Sequence, residues 1–295
     1  MTAERTAASR PDDVARIRAA LRTLPAVAFL LLISAAHANV FVEDRREQRD
    51  ATLPPLRSVG VLHHAGIGAG GTAFLVSSCH IATAYHVAFM RGRDPRTGEV
   101  EIGLPRVSQS AEFLVGPDAK VPGKFAAKTR ATVAAFGRFS KSEFKGMAGD
   151  WAILRLDECL GRKYGYLKYA RPEQDSPMPA GTLMAIGFPA SRAGRPGITV
   201  ETGCKARDHG PVAGLVGVDC AFESGMSGGP LLERQADGAW RVVGLIQQSM
   251  APVDGVLPEY SMTHRNQIVY ITAFRKAIDD ALRADARRLL EERAK

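Results

Sequence analysis

Nine short runs rich in Val, Ile, Leu, Thr and aromatic residues constrain this fold more than any other feature. They read SVGVLHH, GTAFLVS, HIATAYHV, DWAILRL, GTLMAIGF, ITVETGCKA, GLVGVDC, GPLLER and WRVVGLIQQ, with glycine, proline or polar residues between them. Each is about as long as a strand and has strand-favouring composition. No long helical repeats separate them, which disfavours a parallel βαβ sheet and points to an antiparallel barrel or sandwich. The chain of 295 residues allows one large domain or two small ones. The last segment differs in character. In QIVYITAFRKAIDDALRADARRLLEERAK the apolar residues Ile271, Phe274, Ile278, Leu282 and Leu289 share one helical stripe. A terminal helix packed on the β-structure is expected over residues 266–295.

The N-terminus reads as an export signal. AVAFLLLISAA, residues 26–36, is unbroken apolar sequence after an arginine-bearing stretch. It ends in Ala36-His37-Ala38, a small-x-small cleavage pattern. Such a run is too short to span a bilayer as a helix. Cleavage after Ala38 is expected, with no stable membrane insertion once the signal is removed. The product would be secreted or periplasmic. Residues 39–54 are charged and then proline-rich, and read as an extended lead-in or a propeptide. Export makes Cys79, Cys159, Cys204 and Cys220 candidates for two disulfides. No Cys-x-x-Cys occurs and no cysteine has metal-ligand spacing from a histidine, so no metal site is expected. The net charge is +8, and the first 38 residues hold five arginines against three acids. The remaining basic residues are scattered among acidic ones, which disfavours a nucleic-acid partner.

Three short motifs carry chemistry. TAYHV places His86 at the end of an apolar run. GDWAILRL places Asp150 at the start of another, and GMSGGP places Ser227 in a glycine turn. A serine hydroxyl is a poor nucleophile until a base takes its proton. Histidine titrates near neutrality, and a buried carboxylate can fix its tautomer and stabilise the imidazolium. Glycines let backbone N–H groups converge where an oxyanion develops. The G-x-S-x-G pattern also fits the nucleophile elbow of α/β-hydrolases. Those enzymes need an acid and then a histidine after the serine, here something like Asp254 and His264, which leaves too little chain for the strands and helices between them, and the alternating helices required upstream are missing.

As an ordered set, the motifs resemble the trypsin-like (chymotrypsin-fold) serine proteases over about residues 55–275. The resemblance implies an all-β fold of two antiparallel six-stranded β-barrels with a C-terminal α-helix. The first barrel would cover residues 55–165 and carry His86 and Asp150. The second would cover residues 166–265 and carry Ser227. His86 would be the general base, Asp150 its orienting carboxylate and Ser227 the nucleophile. The N–H groups of Gly225 and Ser227 would form the oxyanion hole. The implied protein is a monomeric, cofactor-free endopeptidase acting on protein or peptide substrates. A silent peptide-binding protein on the same fold, or an esterase, are the alternatives.

The chain departs from the zymogen branch at Met226. There an aspartate before the serine pairs with a newly cut N-terminal amine and sets the oxyanion loop, which methionine cannot do. The segment EDRREQRDATLPPLRSVGVL is similar to the lead-in of bacterial glutamyl-endopeptidase-like proteases. Those place a histidine on the strand after the serine, where this chain has Ile246 or Gln247. The pocket floor would fall at Ala221 beside Phe222, which favours a small or uncharged substrate side chain. If His86 and Asp150 end neighbouring antiparallel strands, their residue numbers sum to 236. Those of Cys79 and Cys159 sum to 238, close to the same register. Cys204 and Cys220 flank a short loop. Pairs 79–159 and 204–220 are expected.

Overall fold

The computed structural model describes residues 38–294 apart from 42, 95, 97–99, 104–109, 142, 173–177, 210–211, 250–254, 258 and 262–263. The export signal expected over residues 1–38 lies outside the described residues except for Ala38. Two strands open the described chain, β1 (Ala38–Phe41) and β2 (Glu47–Arg49). The first half follows with β3 (Val59–His64), β4 (Ala69–Leu75), β5 (His80–Thr83) and a one-turn helix α1 (Tyr85–Ala88). Next come a small hairpin, β6 (Met90–Arg93) and β7 (Val100–Ile102), then β8 (Ser110–Pro117) and β9 (Phe125–Phe136). The helical turn α2 (Phe144–Met147), β10 (Ala152–Leu156) and the turn α3 (Gly161–Tyr164) complete that half.

The second half holds β11 (Leu183–Gly187), β12 (Ile198–Cys204), β13 (Ala206–His209), β14 (Leu215–Val218) and β15 (Phe222–Glu223). It continues through β16 (Pro230–Arg234), β17 (Trp240–Ser249), β18 (Gly255–Leu257) and β19 (Asn266–Tyr270), and ends in helix α4 (Arg275–Arg293).

Six strands of the first half close a barrel in the order β10-β5-β4-β3-β8-β9. Strand β8 shows how its core is built. Ala111, Phe113 and Val115 are buried, while the residues between them are not. That period of two turns one face of the strand inward. β5 and β10 run antiparallel with Thr83 opposite Ala152 and His80 opposite Arg155. This register carries Cys79 and Cys159 past the strand ends to the same edge, where they form a disulfide.

The second six-stranded barrel expected from the sequence is not closed by hydrogen bonds. The second half forms an eight-stranded sheet in the order β13-β14-β19-β17-β16-β11-β12-β2. One end strand, β13, is nonetheless a covalent neighbour of β12, the strand next to the other end, since only Lys205 separates them. The chain turns this corner after Gly203, which has φ 96°, a conformation that residues with a Cβ adopt only at a cost that glycine avoids. The Cys204–Cys220 disulfide secures the corner. So does Asp219, whose carboxylate accepts from the Lys205 N–H at 2.6 Å and from Arg207 Nε at 2.6 Å.

The lead-in is built into the second half. β2 pairs with β12, and β1 pairs with β15 and β18. The helix also begins later than expected, at Arg275 rather than 266. Asn266–Tyr270 is a fully buried strand between β14 and β17. Burial on both faces removes the alternation that marks a strand, and the helical stripe itself begins only at Ile271, after this strand. α4 buries Ile278, Ala281 and Asp285 against the body. The core runs without a break from the barrel into the second sheet. Among the described residues no helix is long and apolar enough to cross a membrane.

Candidate active site

His86 sits on α1, the helical turn that directly follows β5, rather than on the strand itself. The first amides of a helix lack partners within it, and Asp150 supplies one. Its Oδ1 accepts from the His86 backbone N–H at 3.0 Å, and its Oδ2 lies 2.8 Å from His86 Nδ1. The carboxylate therefore fixes both the backbone and the ring of the same residue. The Asp150 side chain is 1% exposed and that of His86 is 14% exposed. A buried carboxylate facing Nδ1 favours the proton on that nitrogen and leaves Nε2 as the acceptor. The charge is felt nearby, since burial first and the Asp150 charge second push the Tyr85 phenol above its ordinary pKa.

Ser227 lies in the turn between β15 and β16. Its backbone carbonyl accepts from the Thr72 N–H at 2.9 Å, which ties the turn to β4 of the first barrel. Its hydroxyl donates to the Gln247 carbonyl at 3.1 Å. Within the turn, the Met226 N–H donates to Glu223, Gly228 to Ile246 and Gly229 to Met226. The Gly225 and Ser227 amides have no partner among the described residues. Gly225 has φ 93°, and a Cβ there would run into the Phe188 carbonyl. Only glycine suits that position. The result is a turn whose interior amides are engaged while two others remain available to an anion.

The family model of the trypsin-like peptidase domain matches residues 71–245, more than half of the chain. The chain belongs to this family. It is a trypsin-like serine peptidase. Comparison with curated proteins finds no match. Among solved structures, the peptidase is similar to a Glu endopeptidase determined in complex with MPD. The TM-score is 0.56 at 17% identity, covering 82% of this chain and 99% of that one. The trypsin-like peptidase thus shares its fold with that enzyme.

In this peptidase, the four residues expected near the substrate are all buried. Ala221, Phe222, Ile246 and Gln247 are each 1% exposed. The Ala221 N–H donates to Glu201 Oε2 at 2.6 Å. Gln247 bridges the two halves. Its amide donates to the Met147 carbonyl at 2.7 Å, and its Oε1 accepts from Gln267 at 2.7 Å. Met147 O also accepts from the Asp150 N–H at 3.2 Å. Gln247 thus links the serine turn, through its carbonyl, to the turn that presents Asp150, through its side chain. Asp219 is engaged at the β12–β13 corner.

Sequence reasoning did not single out Arg46, Glu223 or Ser191. Arg46 Nη1 lies 2.5 Å from Glu223 Oε2, and their side chains are 4% and 1% exposed. Glu223 also accepts from the Ser191 N–H at 2.7 Å and its hydroxyl at 2.8 Å. Their local mark is the charge density of EDRREQR around Arg46, part of the segment expected to be an extended lead-in or a propeptide.

Proposed function

We propose that this peptidase is an exported endopeptidase that cleaves peptide bonds through Ser227, His86 and Asp150. In the first step the Ser227 hydroxyl turns from the Gln247 carbonyl to His86 Nε2. It gives up its proton there as Oγ attacks the scissile carbonyl. Apo sites often hold such hydrogen bonds loosely until substrate arrives. Asp150 holds the imidazole and stabilises the imidazolium. The Gly225 and Ser227 amides bind the oxyanion. His86 then protonates the leaving amine, and water, activated by the same base, releases the acyl-enzyme.

The observation that carries this reading is the pairing of a buried Asp150 with two of the three His86 nitrogens, backbone N and Nδ1, beside a serine turn with two available amides. The apolar run at residues 26–36, the cleavage pattern ending at Ala38 and the two disulfides support export to a secreted or periplasmic location. Ala221 and Phe222 support a small or uncharged substrate side chain. Asp219 is paired with Arg207, which disfavours selection of Lys or Arg. Ile246 and Gln247 disfavour selection of glutamate.

Fluorophosphonate labelling of the mature chain, with Ser227→Ala beside it and casein digestion in parallel, tests the proposal. Labelling and digestion that both vanish in the variant are the expected result. A folded, oxidised wild type that neither labels nor digests would overturn it in favour of a peptide-binding protein. Labelling with hydrolysis of small esters but not of casein would favour an esterase.

A further inference from the structure

Met226 leaves open what shapes the oxyanion turn. The buried pair Arg46–Glu223 stands at the right place to do so. Glu223 is the last residue of β15, and the next four residues are Ser224, Gly225, Met226 and Ser227. Its carboxylate takes the Arg46 guanidinium on one side and Ser191 on the other. Its backbone carbonyl receives the Met226 N–H at 3.0 Å. Residues 188–192 form the opposite wall. The Ala190 N–H donates to the Ser224 carbonyl at 2.8 Å, and Phe188 O packs on Gly225. One carboxylate therefore joins the lead-in, that wall and the turn.

Arg46 is itself held firmly. Asp44 contacts its Nε at 2.8 Å and its Nη2 at 3.0 Å. Arg192 Nη1 donates to the Arg46 carbonyl at 2.8 Å, and Arg192 Nη2 pairs with Asp44 at 2.9 Å. Burial pushes the Asp44 carboxyl up, but the hydrogen bonds and charge of Arg46, with the charge of Arg192, outweigh it and hold its pKa at about 2. The lead-in also grips β15 through its backbone, with Asn39 opposite Phe222. Among the described residues Arg46 is the only cation within ion-pair distance of Glu223. A buried carboxylate that loses its cation must protonate or move toward water. Movement of Glu223 displaces the turn that presents Gly225 and Ser227.

We propose that Arg46 is a positioning residue that sets the oxyanion turn through Glu223, so that residues 39–49 belong to the working enzyme. The inference rests on the proteolytic reading above. Under it, the positive charge that organises the turn comes from inside the chain, and no newly cut amine is needed.

The test uses the mature chain with Arg46→Met, Arg46→Lys and Glu223→Gln, read by kcat and KM on a peptide ester and by amide hydrogen exchange. Loss of an oxyanion donor costs about 10²–10³ in kcat, so a displaced turn should cost Arg46→Met roughly 10²-fold with KM little changed. Arg46→Lys should recover most of this, because a cation again faces Glu223. Exchange should quicken at residues 222–229 and stay unchanged in the first barrel. Glu223→Gln keeps the fold's packing and serves if Arg46→Met does not fold. Retention of wild-type kcat, or exchange that quickens equally in both halves, would overturn the proposal. If the wild type neither labels nor cleaves, the proteolytic reading falls separately. Exchange at residues 222–229 then decides the anchoring claim alone, faster in the variants supporting it and unchanged overturning it.

Discussion

Met226 is 0% exposed and packs under the serine turn, with its Cα and Cγ each 3.1 Å from where a Cβ on Gly187 would lie. An aspartate here would place a carboxylate in the core, while Arg46 is already committed to Glu223 and Asp44. An uncompensated buried charge costs about 3–5 kcal/mol. Met226→Asp should lose about that much in denaturant unfolding, whereas Met226→Leu should lose under about 1.5 kcal/mol. A stable Met226→Asp protein would mean that some cation reaches the site and that the methionine is not there for packing. At this scale the sequence was informative where chemistry is local. His86, Asp150 and Ser227 each stand in a short motif whose neighbours explain them. Arg46 and Glu223 are 177 residues apart, and neither has a neighbour that marks it. Only folding brings the two charges together, and their burial is what gives the pair its force.

Helix α4 joins the body through a polar contact that its apolar stripe does not reveal. Asp285 is 6% exposed and accepts from the Ser77 hydroxyl at 2.6 Å and the Cys79 N–H at 2.8 Å. Its Oδ1 lies 3.1 Å from His80 Nδ1. Burial pushes this carboxyl up, but the hydrogen bonds from His80, Ser77 and Cys79 outweigh it and bring it below the ordinary 3.8. A lowered carboxyl contributes stability that is present in full above 3.8 and is lost as the pH falls below that value. Asp285→Ala should therefore cost about 1–3 kcal/mol for each donor it strands, measured by thermal unfolding at pH 7. The gap from wild type should narrow below pH 3.8, and a gap that widens there would contradict the assignment. Each of the nine runs read from the sequence holds a strand, because β-branched and apolar residues favour extended backbone, though HIATAYHV leaves β5 at Thr83 and enters the helical turn α1. β8 and β9 went unread. In β9 the stretch AAKTRAT alternates small, polar and charged residues, and such a half-exposed strand carries little apolar signal.

For the whole molecule, each half carries one disulfide, and the two should fail in different ways. Cys79–Cys159 joins positions 80 residues apart, and Cys204–Cys220 joins positions 16 apart. If a crosslink acts mainly by restricting the unfolded chain, the longer loop contributes about 4.5 kcal/mol and the shorter about 3 kcal/mol. The double variant Cys79→Ala/Cys159→Ala should then be the less stable of the two in denaturant. Activity should rank them the other way. The 79–159 link lies at the barrel edge, where Leu156 N–H also bonds the Cys79 carbonyl at 2.8 Å, and that ladder keeps β5 and β10 in register. The 204–220 link secures the corner that replaces the missing hydrogen-bonded closure of the second sheet. Cys220 leads directly into Ala221, Phe222 and Glu223, the approach to the serine turn, and its carbonyl accepts from Asn266 Nδ2 at 2.5 Å. Under the proposed function, loosening the corner should therefore disturb the serine turn before it lowers global stability. Cys204→Ala/Cys220→Ala should lose more kcat than its partner variant at a temperature where both are folded. If both variants instead lose kcat in proportion to stability, the corner has no special hold on the site.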